Sequence, residues 1–153
     1  MTLRERIQSD ITAAMRSGDA LRRDTLRMAE SAIYNAEKRD RRTYSDDEVV
    51  AVLAREVKTR RESVEAFRKG GREDLASKEE AEIGILSAFL PEQLSDAEIA
   101  GLVVEAIAAT GAAGPRDMGK VMGWLAPHTK GRADGRLVSQ AVGKALASAG
   151  GAA

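Results

Sequence analysis

No cysteine occurs anywhere in the chain, which excludes disulfides and thiolate metal ligands and fits a reducing compartment. Histidine is almost as scarce, with His128 alone. A lone histidine with no nucleophile or orienting carboxylate nearby in sequence gives no acid–base triad, and a surface or cap role suits it better. Aromatic residues make up only 3% of the 153 positions, so a core has to be assembled from Leu, Ile, Val, Ala and Met. Net charge of one sign is missing too: 24 basic side chains stand against 24 acidic ones, so global electrostatics favours neither nucleic acid nor membrane. No apolar run approaches the roughly 18 residues needed to span a bilayer, and no apolar leader core follows Arg4. These absences lead to the expectation of a soluble, cytoplasmic protein with no membrane, no metal and no cofactor.

What is present is helical patterning. Hydrophobic residues at 43% and charged ones at 31% suit an ordered chain rich in helix formers. Leu3, Ile7, Ile11 and Met15 recur at four-residue spacing after Thr2, a candidate N-cap, and Gly18-Asp19 interrupts them. A second helix carries Leu21, Met28, Ala29, Ala32 and Ile33 on one side and fades in the charged run Glu37–Arg42. Ser45-Asp46-Asp47-Glu48 is a capping box that opens a long helix with Val49, Leu53, Val57, Val64 and Phe67 in one stripe. Gly70-Gly71 stops it, and a fourth helix runs from about Glu73 to Leu90.

Pro91 marks a boundary. Ser95-Asp96-Ala97-Glu98 repeats the capping box, and Ile99, Leu102, Val103, Ala106 and Ile107 follow at amphipathic helical spacing. Met118, Val121, Met122 and Leu125 make another stripe, which Pro127 is expected to close. After a loop at His128–Arg132, a last helix carries Leu137, Val138, Ala141, Val142, Ala145 and Leu146. The fold class expected is all-α, with a helical stalk of about four helices over residues 1–90. A linker at 91–95 and a three-helix module at 96–149 complete it.

Catalytic patterns are absent. The acidic clusters sit in first helical turns, where capping explains them, and no phosphate-cradling glycine loop follows a strand. No catalytic residue is assigned. Charge distribution says more. Residues 1–90 hold 18 basic and 18 acidic side chains, interleaved, whereas after Glu105 six basic residues face only Asp117 and Asp134. Arg116 and Lys120 share a helix face, as do Arg132 and Arg136. The segment Lys130-Gly131-Arg132-Ala133-Asp134-Gly135-Arg136 is glycine-rich, basic and leads into a helix, a pattern that can admit a phosphate backbone. Gly119 and Gly123 bare one helix face beside Trp124. The same features equally suit close helix packing, with solvated cations and Trp124 filling a gap between the halves. Both readings remain open on spacing alone.

Several segments together resemble the GatB/YqeY family: Phe89-Leu90-Pro91-Glu92-Gln93-Leu94, Asp117-Met118-Gly119-Lys120-Val121-Met122 and Lys130-Gly131-Arg132-Ala133-Asp134-Gly135. Upstream, Asp24-Thr25-Leu26-Arg27, Arg60-Arg61-Glu62-Ser63 and Gly71-Arg72-Glu73-Asp74-Leu75-Ala76 are similar to the N-terminal part of YqeY-like proteins. Trp124 departs from the small or aliphatic residue expected there. The resemblance implies a C-terminal module like the tail of the aspartyl/glutamyl-tRNA amidotransferase B subunit, which helps hold the tRNA body. It implies a non-catalytic tRNA-binding accessory module, in contact with tRNA or a tRNA-bound complex through Arg116, Lys120, Trp124, Lys130, Gly131, Arg132 and Arg136. Carbon–nitrogen ligase activity with glutamine as amido-N-donor would then belong to a complex. The alternative is a protein–protein adaptor without RNA binding, docking through the Val49–Phe67 helix or the Gly119/Gly123 face.

Overall fold

A computed structural model describes the backbone of residues 1–151 and the side chains of residues 1–149. It contains seven α-helices and one 3-10 turn, and no strand among the described residues. The chain divides into two compact units, Met1–Pro91 and Glu92–Ala153.

The first unit is built from α1 (Leu3–Ser17), α2 (Ala20–Asp40), α3 (Asp46–Lys69) and α4 (Glu73–Ser87). Each start and stop has a local cause. Thr2 caps α1 and closes a capping box with Glu5, and Gly18 ends the helix at φ 76°, a left-handed conformation that costs glycine little. At α3, the Glu48 N–H donates to Ser45 Oγ at 3.3 Å while Ser45 N–H donates to Glu48 Oε2 at 2.9 Å. The helix α4 stops at Ser87, three residues short of the expected Leu90, because Phe89 and Leu90 donate to Leu86 and Ser87 in tighter 3-10-type turns ahead of Pro91.

Apolar residues of all four helices meet in one cluster. Ile7 and Ile11 of α1, Leu26, Ala29 and Ile33 of α2, Val49, Leu53 and Val57 of α3, and Leu86 with Phe89 are buried together. Val49, Leu53 and Val57 of the α3 stripe are thus buried inside their own unit, Val64 is buried too, and Phe67 at the end of the stripe is half-buried. One stripe position is not apolar. Arg60 is 5% exposed and Glu82 of α4 is 7% exposed. Arg60 Nε donates to Glu82 Oε2 at 3.2 Å, and Arg60 Nη1 donates to Glu56 Oε2 at 2.9 Å and to the Glu56 carbonyl at 3.1 Å.

Acid should loosen the start of α3. The Arg42 guanidinium and the Ser45 backbone N–H hold Glu48 at a pKa lowered from 4.5 to about 2. Because the folded value lies below the unfolded one, this contribution is present above about pH 4.5 and is lost as pH falls toward 2. Thermal unfolding of Glu48→Gln should therefore depend less on pH across that window than the parent does. Parallel curves would contradict it.

The second unit consists of α5 (Asp96–Thr110), a 3-10 turn at Pro115–Asp117, α6 (Met118–Thr129) and α7 (Gly135–Gly151). Ile99, Val103 and Ala106 of α5, Val121 and Leu125 of α6, and Val138, Val142 and Leu146 of α7 form its core. Pro127 does not close α6, which continues through it to Thr129. The N–H that proline lacks would have been aimed at the carbonyl of Gly123, an exposed residue whose carbonyl water can reach. Beyond Pro127, Lys130 N–H donates to the Ala126 carbonyl and Thr129 Oγ1 to the Leu125 carbonyl at 3.1 Å, which finishes the last turn.

Candidate nucleic-acid interface

The basic residues after Glu105 lie on the 3-10 turn, on α6, on the loop between α6 and α7, and at the start of α7. Arg116, Lys120 and Lys130 are exposed. Among the described residues Arg116 and Lys130 have no carboxylate within ion-pair distance. Lys120 faces Asp117 one turn earlier at 3.8 Å, a loose and exposed pair worth little. Asp117 is further engaged by the Ala113 N–H, which donates to its Oδ2 at 2.8 Å. That bond is the largest of the effects lowering its pKa, with Lys120 contributing less.

The glycine-rich loop is tied to the segment that precedes α5. Gly131 adopts φ 72° and turns its carbonyl toward Gln93, whose Nε2 donates to it at 2.8 Å. Leu94 N–H donates to the Arg132 carbonyl at 2.8 Å. Arg132 Nε in turn donates to the Glu92 carbonyl at 3.1 Å, with Nη1 3.5 Å from the His128 carbonyl. The loop before α7 thus clasps the segment that leads into α5. Arg132 is a structural cation, half-buried and bonded to backbone oxygens. At the start of α7, Asp134 accepts the Arg136 N–H at 2.9 Å, so a carboxylate already occupies the helix N-terminus where a phosphate was expected.

Trp124 is half-buried against the second-unit core. Its ring stacks on His128 at 4.4 Å between centroids and 26° between planes. The two residues are one turn apart on α6, and the stack gives the lone histidine a packing partner. Gly119 and Gly123 are exposed, and a Cβ at either would meet nothing within 4 Å. Within the unit, close packing therefore does not account for them.

Of the seven residues singled out from sequence, Arg116, Lys120 and Lys130 stay available to a ligand in solution. Gly131 and Arg132 serve the clasp, Trp124 serves the core, and Arg136 is exposed at the start of α7 with its N–H donated to Asp134. The upstream motifs are structural as well: Thr25 and Ala76 are buried, Arg60 holds Glu56 and Glu82, and Arg72 pairs with Asp74. No group of three or more His, Cys, Asp or Glu side chains among the described residues is arranged to hold a metal ion.

The order of these motifs along both units matches one family, described as Yqey-like protein, over residues 4–146. This chain belongs to the YqeY-like family. Among its relatives, altered inheritance of mitochondria protein 41, mitochondrial, of Pyrenophora tritici-repentis is 33% identical over 140 residues. That alignment covers 90% of this chain and 77% of the relative. A protein of the same name from Lachancea thermotolerans is 28% identical over 146 residues, covering 89% and 76%. An uncharacterized protein of Schizosaccharomyces pombe is 37% identical over 90 residues, covering 59% and 73%. The YqeY-like chain has no single helix, among the described residues, long and apolar enough to cross a membrane. The bent pair of α5 with the 3-10 turn and α6 is apolar enough in combination, but its buried residues form the second-unit core.

Proposed function

We propose that this chain is a non-catalytic accessory protein whose second unit holds tRNA, or a tRNA-bound complex, by its phosphates in the cytoplasm. The observation that carries the reading is the exposure of Arg116, Lys120 and Lys130 on neighbouring elements of one unit. Arg116 and Lys130 are without an ion partner among the described residues, so binding a polyanion breaks no existing pair. Support also comes from the likeness of this module to the tail of a glutamine-dependent tRNA amidotransferase. Under this reading, carbon–nitrogen ligase activity with glutamine as amido-N-donor resides in a complex, and the serines that touch a carboxylate at helix starts, Ser45 with Glu48 and Ser95 with Glu98, serve as helix caps. Base stacking on Trp124 contributes little, because that ring is already committed to the core and to His128.

Three phosphate contacts give a log–log salt slope of about −2.7, so affinity for unfractionated tRNA falls about fortyfold between roughly 50 and 200 mM salt. Filter binding across that series checks it. Arg116→Ala, Lys120→Ala and Lys130→Ala should each weaken binding across many tRNAs alike and flatten the slope by about 1. Arg132→Ala, by contrast, should act through lost thermal stability of the second unit. Absence of tRNA retention by the folded chain at about 50 mM salt would end the proposal.

A further inference from the structure

Lys120, Trp124 and His128 follow one another at four-residue intervals on α6, so they stand on successive turns of one face, about 6 Å apart along the axis. Lys120 and His128 are exposed, with the half-buried Trp124 between them. Lys130, exposed too, follows directly after the helix. Along the chain, the single histidine therefore lies between two of the cations assigned to the phosphate-binding surface. Its ring rests on Trp124, yet neither ring nitrogen has a hydrogen-bond partner among the described residues. Both nitrogens are thus left to a ligand, and imidazole is the side chain that ordinarily changes charge between pH 5 and 8.

Building on the tRNA-holding function proposed above, we infer that His128 is a further phosphate contact, protonated when tRNA binds, so that the grip tightens as the pH falls below neutral. A phosphate within about 4–6 Å of the ring supplies the opposite charge that favours imidazolium, and imidazolium donates from both nitrogens. No rival carboxylate stands in the way. The elements packed against α6 carry Asp96, Glu98 and Glu105 on α5 and Asp117 on the 3-10 turn, with Arg116, Arg136 and Lys144 as their cations. The adjoining loop adds Lys130, Arg132 and Asp134. Among the described residues none of these acids lies within ion-pair distance of the ring. The end of a helix ordinarily repels an anion through its bare carbonyls. Here Lys130 N–H donates to the Ala126 carbonyl, Arg132 and Ala133 N–H donate to the Thr129 carbonyl, and Arg132 Nη1 lies 3.5 Å from the His128 carbonyl. The negative end of α6 is therefore covered, and a guanidinium sits against it.

Filter binding of unfractionated tRNA to the full chain at about pH 6 and about pH 8, at one ionic strength of about 100 mM, reads this proton. Affinity should be about fivefold tighter at the lower pH, the size of one exposed ion contact. The log–log salt slope should steepen there by about 1. His128→Phe keeps a ring against Trp124 but carries no proton, so it should lose the difference between the two pH values. His128→Lys carries its charge at both, so it should lose the difference while binding as the parent does at the lower pH. The α-amino group, which also titrates in this range, is common to all three proteins. Circular dichroism establishes that each variant is folded; should one fail to fold, the other still decides. Equal affinity of the parent at both pH values overturns the inference, as does a pH dependence that His128→Phe retains, and in either case tRNA holding itself stands. No retention of tRNA at either pH in about 50 mM salt overturns both together.

Discussion

Replacing Glu82 by alanine should destabilise the first unit by about 3–5 kcal/mol, the cost of leaving a buried cation without its partner. Arg60 is only 5% exposed and spends one donor on Glu82 and another on Glu56. With the Glu82 carboxylate gone, Arg60 Nε loses its acceptor on α4, where Glu79 is close enough to feel the Arg60 charge. Glu56, on the same helix as Arg60, can neutralise only part of that charge. The reverse change, Arg60→Ala, strands carboxylates instead. Glu82 would lose its cation, and Glu79, whose pKa burial already pushes upward with help from the Glu82 charge, would lose the lowering influence of Arg60. The double replacement Arg60→Met with Glu82→Leu separates a favourable ion pair from an avoided penalty. It should recover most of the loss, and can exceed the parent by about 1–4 kcal/mol, because desolvation of both ions is removed together. Urea denaturation of the four proteins gives the answer. Singles that cost under about 1 kcal/mol would mean that water reaches the pair.

Leu125→Ala should cost the second unit about 2–5 kcal/mol. Leu125 is fully buried on α6 among Val103, Val121, Val138 and Val142. Helices fixed by capping and by the loop clasp can collapse only partly onto the vacated space, so a cavity remains. A unit of about 60 residues has roughly 3–9 kcal/mol of total stability, so this single change removes a large part of it. The effect should be confined: amide resonances from Glu92 onward should broaden or move to unfolded positions, while those of the Ile7–Leu53 cluster stay folded. Uniform loss of both sets would show that the two units melt as one.

Much of the helical framework was legible because its signals are local. Ser45 with Glu48 and Ser95 with Glu98 announce helix starts within four residues, and Gly18 announces a stop. Stripes such as Val49, Leu53 and Val57 follow from helical period alone. The misreadings concern what lies far apart in sequence or what reads two ways. Arg60 falls on the Val57–Val64 stripe, so a charge on a buried face was visible, yet its partner Glu82 is 22 residues away on another helix. The loop from Lys130 to Gly135 left two readings open because glycine and arginine serve both phosphate cradles and tight turns. Only the bond from Gln93, 38 residues upstream, reveals the turn. Asp134 was the local clue: an aspartate just before an apolar-periodic run is a cap first. Trp124 and His128 carried a signal in their four-residue spacing, which allows a stack but does not distinguish it from two separate surface rings. Pro127 was given too much weight, since a proline near a helix end removes a hydrogen bond that solvent can replace.

The clasp between Gly131–Arg132 and Glu92–Leu94 also determines where the chain can be divided. By helix content the second unit begins at Asp96, and a fragment cut there would keep every buried residue of its core while losing Leu94, which packs against it. Such a fragment would nonetheless discard the acceptor for Arg132 Nε, the donor to the Gly131 carbonyl and the donor to the Arg132 carbonyl. The four residues that look like spacer are therefore the outermost layer of the module, and its natural edge is Glu92.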